Sequence, residues 1–233
     1  MKYLFCSSSR AIRCPAPIGL GALVAMTLSA CSEREPLPGP YYMTDKKEHA
    51  QWDFTAFSGG VIHELSNHVL TIRQGEPISV VRYIGLPPEQ LPVMDYEIAW
   101  EARRVQGHDF FSAITFPVGS LETCLTAVIG GWGGCLVGFS NIDELDASEN
   151  PYSTEREFVN GRWYHFRLEV REDRVSLWID GQLATQAPVA GRKISLRPGD
   201  VEFSAPLGFA TYFTEAEIKH VVMRHLRPPP RGL

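Results

Sequence analysis

Residues 163–181 have the sequence Trp-Tyr-His-Phe-Arg-Leu-Glu-Val-Arg-Glu-Asp-Arg-Val-Ser-Leu-Trp-Ile-Asp-Gly. Apolar and polar residues alternate on both sides of Glu172-Asp173, and a period of two is typical of half-buried β-strands. Asp180-Gly181 is a dipeptide suited to a type I′ turn, and the alternation resumes after it. The stretch therefore predicts three antiparallel strands joined by two tight turns.

The same alternation occurs along much of the chain. It is clear over 96–103 and again over 219–226, at the end of the domain. The segment 214–219 differs, because Thr214 and Glu217 have the spacing of a helix cap and predict a short helical turn. Many short strands between Gly and Pro turns predict an all-β fold, an antiparallel two-sheet jelly-roll sandwich. Strands are expected near 96–104, 110–117, 124–130, 135–140, 163–172, 174–180 and 218–226.

The first 30 residues have the pattern of an export signal. Three basic residues precede the apolar run at 18–28, which is too short to span a bilayer as a helix. The run ends in Leu-Ser-Ala-Cys at 28–31, which resembles the lipobox of bacterial lipoproteins. The resemblance implies that Cys31 is lipidated and becomes the first residue of the mature chain. A plain secretory signal cleaved near Ala30 is the alternative.

The organisation that follows is a signal peptide at 1–30, a lipidated cysteine and tether at 31–50, and a jelly-roll domain at 51–233. The tether is rich in proline and charge and is expected to act as a semi-rigid spacer. Ser32 follows the cysteine where an Asp would mark inner-membrane retention, which resembles outer-membrane sorting in enterobacteria. We therefore expect an exported protein, lipid-anchored in the bacterial cell envelope, at the outer membrane or cell surface.

Charge and length narrow the function further. Loss of residues 1–30 changes the formal net charge from −5 to −8, because three basic residues and no acidic ones leave with that segment. A domain this acidic lacks the basic footprint of a nucleic-acid binder. About 185 residues follow the tether, enough for one well-packed domain. We expect a single domain that binds no nucleic acid.

Residues 130–134, Gly-Gly-Trp-Gly-Gly, lie on a predicted hairpin turn. The four glycines leave no neighbouring side chain to cover the indole, and they let the backbone adopt positive φ or approach a ligand closely. An exposed indole is a flat apolar plate on which a sugar ring can stack, while polar neighbours bind its hydroxyls. Trp132 is therefore predicted to bind carbohydrate. The alternative is a tight turn whose Trp packs into the core.

His108 and Asp109 are the candidates for catalysis. A histidine titrates near neutrality and a carboxylate can act as a general base, and both lie at a strand entry beside the Trp132 hairpin. Neighbouring residues of a strand point to opposite faces, so only one of them lines a site unless the backbone bulges. In the alternative, Asp109 caps a turn and His108 is hydrogen-bonded at the rim of the sheet.

Three further residues are candidates for substrate binding. Asp143 and Asn150 lie in an acidic loop that follows the predicted hairpin, and their oxygens suit sugar hydroxyls or a calcium ion. The spacing does not match an EF-hand, so a plain solvated loop is the alternative and no metal ligand is assigned. Arg197 is able to donate paired hydrogen bonds to a ligand, or to pair with a surface carboxylate.

Cys124 and Cys135 are the two cysteines of the predicted domain. In an exported protein they are able to form a disulfide. If the hairpin turns at Trp132-Gly133, however, Cys135 faces roughly residue 130 and Cys124 lies too far along its strand. Two buried free thiols are therefore the default expectation.

Several motifs resemble a known superfamily. The segments at 163–170 and 177–181 resemble the signature of concanavalin A-like jelly rolls, which include laminin-G-like domains. The wider order of motifs is similar to 3-keto-disaccharide hydrolase-like domains, formerly a domain of unknown function, and covers the chain from Trp52 onward. The resemblance implies a jelly-roll fold, and it leaves the activity open because one fold hosts enzymes, lectins and adhesion modules. Those motifs are Tyr96-Glu97, Gly107-His-Asp-Phe-Phe, Thr115-Phe-Pro-Val, Gly130-Gly-Trp-Gly-Gly, Trp163 and Asp180-Gly181.

Retaining glycosidases of this fold carry Glu-x-Asp-x-Glu on one strand, with two carboxylates about 5–5.5 Å apart. The nearest match here is Glu97-Ile-Ala-Trp-Glu101, in which Ala99 replaces the central Asp. The two glutamates are more simply explained as the solvated face of a strand whose other face enters the core.

Three functions remain in view. The first is a membrane-anchored carbohydrate-recognition domain without an evident catalytic carboxylate pair. The second is a glycoside hydrolase acting on 3-keto-disaccharides or related glycans, which rests on the resemblance and on His108 and Asp109. The third is a laminin-G-like adhesion module. No cofactor is assigned.

Overall fold

The structure is a computed structural model that describes residues 38–45, 51–57 and 61–227. These residues all belong to one compact unit, Pro36–Leu233. The predicted signal peptide, Cys31 and most of the predicted tether lie outside the described residues, so their assignments stay predictions.

The described residues form short strands and two 3-10 helices. The helices are Pro88–Gln90 and Asp200–Ser204. The strands are β1 (Tyr41–Tyr42), β2 (Trp52–Phe57), β3 (Glu64–Ser66), β4 (Val69–Ile72), β5 (Ile78–Tyr83), β6 (Tyr96–Gly107), β7 (Ala113–Val118), β8 (Ser120–Gly131), β9 (Leu136–Ser140), β10 (Ser153–Glu155), β11 (Tyr164–Val170), β12 (Arg174–Ile179), β13 (Gln182–Pro188), β14 (Gly208–Tyr212) and β15 (Thr214–His225).

The strands that the structure describes form two antiparallel sheets. An eight-stranded sheet has the order β13-β12-β11-β6-β15-β4-β3, with β1 beside β15. A seven-stranded sheet has the order β10-β9-β8-β7-β14-β5-β2. This architecture confirms the predicted jelly-roll sandwich, and the seven predicted strands all occur close to their predicted bounds.

The core lies between the two sheets, where the inward-facing side chains of alternating strands meet. Trp100 on β6 stacks on Phe166 of its own sheet at 5.2 Å and contacts Phe209 of the opposite sheet at 5.9 Å between ring centroids. Its indole nitrogen donates a hydrogen bond to Ser112 Oγ at 2.9 Å, so burial leaves no unpaired donor there. The aromatic layer therefore joins the two sheets.

The hairpin between β12 and β13 forms as the sequence predicts. Asp180 has φ +52° and Gly181 has φ +78°, and two successive positive φ values define the type I′ turn. The Asp180 carboxylate also accepts hydrogen bonds from Arg156 and Arg162. Asp180-Gly181 therefore reverses the chain, and the Asp180 carboxylate also forms ion pairs with the two arginines.

The predicted helical turn at 214–219 is wrong. Those residues begin β15, which pairs with β6 and β4. Thr214, Ala216 and Ile218 are fully buried, while the two glutamates between them face outward. The period-two burial against two neighbouring strands outweighs a local capping pattern.

Both cysteines of the domain are free thiols, as the register argument predicts. Cys124 lies opposite Pro117 on β7, and the β8–β9 ladder pairs Gly131 with Leu136, so the two sulfur atoms belong to distant parts of the hairpin. Cys124 is buried and Cys135 is half-buried. Burial raises the pKa of the Cys124 thiol to about 11.

Candidate functional site

A cleft of 380 Å³ opens on the outer face of the seven-stranded sheet, the face turned away from the core. Its walls come from strands β5, β7, β8, β9 and β14, from the hairpin after β8 and from the segment before β14. A volume of this size is typical of small-molecule sites. The residues that line it include Asp109, Ala113, Thr126, Val128, Trp132, Ser140, Arg197, Asp200 and Tyr212.

The floor of the cleft follows from the side-chain alternation of β7 and β8. On β7, Ile114 points into the main core while Ala113 belongs to a second apolar cluster on the outer face. On β8, Thr126 and Val128 line the cleft between residues that face inward. Because the outward side chains of Ala113, Thr126 and Val128 are small, they leave space above the sheet.

Trp132 stands at the rim of this cleft on the β8–β9 hairpin. Its side chain is 40% exposed, which agrees with the predicted exposure and not with the core-packed alternative. The backbone of Trp132 has φ +48°, and Gly133 and Gly134 continue with positive φ. A Cβ on Gly134 would lie 2.6 Å from the His108 carbonyl oxygen, so only glycine fits where the hairpin meets the preceding loop.

Asp109 lines the cleft and holds this hairpin in place. Its Oδ2 accepts a hydrogen bond from the Gly133 N–H at 2.9 Å, and its Oδ1 accepts one from the Phe110 N–H at 2.8 Å. Both carboxylate oxygens are therefore engaged with backbone donors beside Trp132. This geometry is that of the turn-capping alternative for Asp109 rather than of a base open to substrate.

Arg104 supports the same region from below, and sequence reasoning did not single it out. It is 7% exposed and donates hydrogen bonds to the Phe158 carbonyl oxygen at 2.7 Å and to Asn160 Oδ1 at 2.6 Å. A weaker bond of 3.3 Å reaches the Asp109 carbonyl oxygen. Burial lowers the pKa of its guanidinium, and the nearby Tyr164 and Asp109 oppose that shift.

Arg197 lies across the rim from the hairpin. Its guanidinium carbon is 5.7 Å from the centre of the Trp132 ring, within the range of a cation–π contact. Its Nη1 is 3.4 Å from Asp146 Oδ2, so the charge is partly compensated. The structure thus brings together Trp132, Asp109 and Arg197 of the residues that the sequence predicts.

The other three predicted residues do not line the cleft. His108 is exposed outside it. Asp143 accepts hydrogen bonds from Arg192 Nη1 and from the Lys193 N–H, which tie two loops together. Their participation in a shared ligand site finds no support in this geometry.

Asn150 is the clearest correction, because its side chain is consumed by the fold. It is 5% exposed, and its Nδ2 donates to the carbonyl oxygens of Phe139 at 2.8 Å and Asp146 at 2.7 Å. Its Oδ1 accepts a hydrogen bond from the Tyr152 N–H. Asn150 shapes the loop and offers no free group to a sugar.

Asp200, Thr126 and Ser140 also line the cleft, and they were not predicted from the sequence. The hydroxyls of Thr126 and Ser140 are buried and hydrogen-bonded to Thr115 Oγ1 and Asn141 Oδ1, which leaves Asp200 as the polar group open to a ligand. Asp200 begins the 3-10 helix Asp200–Ser204, and no described residue donates a hydrogen bond to its carboxylate or forms an ion pair with it. The available signal was the absence of charged residues at the outward positions of 113–117 on β7 and 124–128 on β8. Uncharged outward positions indicate that this face of the sheet is covered by other parts of the protein and not by water.

Glu97 and Glu101 lie on the opposite side of the molecule, on the outer face of the eight-stranded sheet. Glu97 pairs with Arg224 at 3.2 Å. Glu101 lies 2.9 Å from His220 Nδ1 and 3.3 Å from Lys219 Nζ. This confirms their interpretation as the solvated face of a strand.

Neither a metal site nor a membrane-spanning helix is found where the structure describes the chain. The described residues contain no group of three or more His, Cys, Asp or Glu side chains placed to hold a metal ion, so the calcium hypothesis for the loop at 140–150 gains no support. Among the same residues, no helix is long and apolar enough to cross a membrane.

Comparison with protein-family profiles and with curated proteins matches nothing to this chain. Solved structures do match. A prokaryotic β-1,3-1,4-glucanase (lichenase) from a mouse hindgut metagenome is 9% identical, with a TM-score of 0.52 over 81% of this chain and 99% of that chain.

Two further structures give the same result. Domain 4 of an extracellular arabinanase from Geobacillus stearothermophilus, solved with arabinotriose, is 11% identical, with a TM-score of 0.50 over 83% of this chain and 94% of that chain. Crh5 transglycosylase, solved with NAG, is 11% identical, with a TM-score of 0.50 over 82% of this chain and 84% of that chain. At such identities the likeness shows the jelly-roll fold alone.

Proposed function

We propose that the protein is a carbohydrate-recognition domain whose cleft on the seven-stranded sheet binds a neutral glycan. The observation that carries this proposal is the exposed indole of Trp132 at the rim of an apolar cleft with polar groups on its walls. That arrangement suits a sugar, which presents an apolar C–H face and a girdle of hydroxyls. The match to jelly-roll structures that were solved with arabinotriose and with NAG is consistent with it.

The charges around the cleft favour a neutral ligand over an anionic one. Arg197 is partly compensated by Asp146, and Asp200 has no cationic partner among the described residues. The Asp109 carboxylate adds a further negative charge beside Trp132. A sulfated or uronic-acid glycan would meet net repulsion there, whereas neutral hydroxyls are able to donate to Asp200 and accept from Arg197.

The carboxylates of the cleft favour binding over hydrolysis. A retaining or inverting glycosidase needs two carboxyl groups with distinct roles. Both oxygens of Asp109 accept backbone hydrogen bonds, and Glu97 and Glu101 lie on the other sheet. Asp200 is the cleft-lining carboxylate without a described partner, and it is the one observation that favours the second candidate, a hydrolase of 3-keto-disaccharides or related glycans.

A glycan panel with two readouts tests these candidates. Soluble protein beginning after Cys31 is incubated with neutral, sulfated and uronic-acid oligosaccharides, and binding and product formation are measured on the same samples. The recognition domain predicts binding of neutral members with no new reducing ends. Turnover that disappears in the Asp200→Asn variant would replace it with the hydrolase, and binding of none of the members would remove both.

We also propose that Cys31 anchors the protein in the cell envelope through lipid. The support is the lipobox-like sequence at 28–31, followed by a proline-rich tether. Several acyl chains give stable attachment where a single chain binds only marginally. Cys31→Ser should move the protein from the membrane fraction to the soluble fraction, and retention in the membrane fraction would require another anchor.

A further inference from the structure

The outer face of the seven-stranded sheet is covered on one side of the cleft by the 3-10 helix Asp200–Ser204. Ser204 is fully buried, and its Oγ lies 2.6 Å from Thr115 Oγ1 on β7. Phe203 stacks on Phe57 of β2 with ring centroids 5.5 Å apart. Phe203 and Ser204 therefore fix the end of the helix to β2 and to β7.

Beneath this helix, the outward side chains of the strands are buried. Val80 on β5 and Ala210 on β14 are 0% and 1% exposed, although neither points into the main core. Gly208 on β14 packs so closely that an added Cβ would lie 2.7 Å from the Ser204 carbonyl oxygen. Close packing and buried hydrogen bonds make this cover a fixed part of the fold.

The opposite side of the cleft is covered by the loop that follows β9. A Cβ on Gly138 would lie 3.2 Å from Ala147 Cβ of this loop, so the outer face of β9 is occupied at that level. Asn150 fixes this loop through its bonds to the backbone. The same loop carries Asp146, which pairs with Arg197 at the rim.

The sheet therefore offers a short cleft between two covers instead of a groove across its whole width. We infer that the site takes the end of a glycan chain, or a glycan of very few residues, and excludes the interior of a long polysaccharide. This inference rests on the proposed carbohydrate recognition. At the end of the cleft away from Trp132, Ser204 bonds to Thr115 on β7 and the Pro206 carbonyl oxygen accepts a hydrogen bond from Cys124 Sγ on β8, so that end is covered as well. An internal segment of a polymer continues in two directions and needs an exit at each end of the cleft, whereas a chain end needs only one.

The position of Trp132 and Asp200 fits the entry of a chain end. Trp132 lies at the open rim, where a ring is able to stack, and Asp200 lies at the first residue of the covering helix. A terminal sugar has one more free hydroxyl than an internal one. An uncompensated carboxylate beside the cover is suited to accept a hydrogen bond from that group.

Intact and partly hydrolysed polysaccharides test the inference with the native sequence from residue 32 onward. Arabinan, mixed-linkage β-glucan, β-1,3-glucan and starch are each prepared at full length and after limited acid hydrolysis, and binding is measured by isothermal titration calorimetry. For any polymer that binds, the affinity per unit mass should rise in proportion to the number of chain ends, and the affinity per end should stay constant. The stoichiometry should be one protein molecule per chain end.

The outcomes separate this inference from the proposed function. Equal affinity per unit mass before and after hydrolysis, with several protein molecules bound along each chain, would overturn chain-end recognition and leave carbohydrate binding intact. Absence of binding to these polymers, their hydrolysates and the wider oligosaccharide panel would overturn both. A gain confined to hydrolysates, with one protein molecule per end, supports both.

Discussion

The two outer faces of this sandwich are built by the same period-two strands and have opposite characters. On the eight-stranded sheet most outward positions of β6, β11 and β15 are charged, and they pair with one another across the strands. On the seven-stranded sheet the outward positions of 113–117 on β7, 124–130 on β8 and 208–212 on β14 carry no charge, and a 3-10 helix and loops cover most of them. One face meets water directly, and the other contains a cleft.

This difference shows where function is expected on such a fold. Charged pairs on an exposed sheet face contribute little to stability and keep the face soluble. A sheet face without charged residues has to be covered by other parts of the chain. Where that cover has a gap, a binding site can form. The cleft beside Trp132 is the place where the cover of the seven-stranded sheet is incomplete.

The largest expected effect comes from placing a carboxylate on each face. Ala210 and Ala99 are both outward-facing alanines, but Ala210 is 1% exposed and Ala99 lies between the charged strands. Ala210→Glu should lower the free energy of unfolding by about 3–5 kcal/mol, because it buries an unpaired charge. Ala99→Glu should change it by less than about 1 kcal/mol. Urea unfolding of the two variants measures both, and equal losses would mean that the two faces do not differ in this way.

Much of the fold was predictable because alternation is a local property. Strands such as β6, β11 and β12 are identified by period two and by turn dipeptides such as Asp180-Gly181. The pairing of β15 with β4 was not predictable, because it joins residues more than a hundred positions apart in sequence. The same distant pairing makes a strand of the segment 214–219, where the local pattern predicts a helical turn.

The candidate site was predictable only in part. Trp132 was found because four glycines leave its ring uncovered, and Arg197 because a guanidinium is able to donate paired hydrogen bonds to a ligand. Asn150 has a suitable residue type, but its hydrogen bonds are consumed by nearby backbone, which a sequence pattern does not reveal. Asp200 and Thr126 were missed, because the cleft gathers residues from five strands and from several loops between them.

The next largest effect on stability is expected from alanine substitutions in one hairpin turn of each sheet. Gly134→Ala places a Cβ 2.6 Å from a carbonyl oxygen at φ +108°, whereas Gly181→Ala meets nothing within 4 Å at φ +78°. Both variants should lose stability through backbone strain of about 1–2 kcal/mol. Gly134→Ala should lose more, and its melting temperature should lie below that of Gly181→Ala. The reverse order would show that the Trp132 hairpin is not packed tightly against the 107–109 loop.

A smaller, pH-dependent effect is expected at Glu101 on the charged face. Burial raises the pKa of this carboxyl, but hydrogen bonds from His220 and Lys219 and the nearby positive charges outweigh it, so the net pKa is lowered. A lowered folded-state pKa gives stability that is present above the unfolded pKa of about 4.3 and is lost as pH falls through the folded value. Glu101→Gln should therefore destabilise the protein by less than about 1 kcal/mol at pH 6, and the difference should shrink towards pH 3.

Denaturant unfolding between pH 3 and pH 6 checks this, with Glu89→Gln as the control. Glu89 is exposed, and no described residue pairs with it. Its variant should follow the wild-type protein at every pH. A Glu101→Gln difference that grows as pH falls would mean that the folded state raises the pKa of Glu101 instead of lowering it.

The central claim is that Trp132, and not an indole of the charged face, contacts the glycan. Trp163 is the matched control, because it lies on the eight-stranded sheet side with Arg103 and Lys219 over its ring at 4.8 Å and 4.2 Å. Trp132→Ala should cost less stability than any of the glycine or buried-alanine variants, since Trp132 is already 40% exposed.

The decisive measurement is the calorimetric Kd of wild type, Trp132→Ala and Trp163→Ala for a glycan that the panel identifies. Loss of about 1 kcal/mol of stacking should raise Kd about five-fold in Trp132→Ala and leave Trp163→Ala unchanged. An unchanged Kd in folded Trp132→Ala, or a matching loss in Trp163→Ala, would contradict the assignment of the cleft.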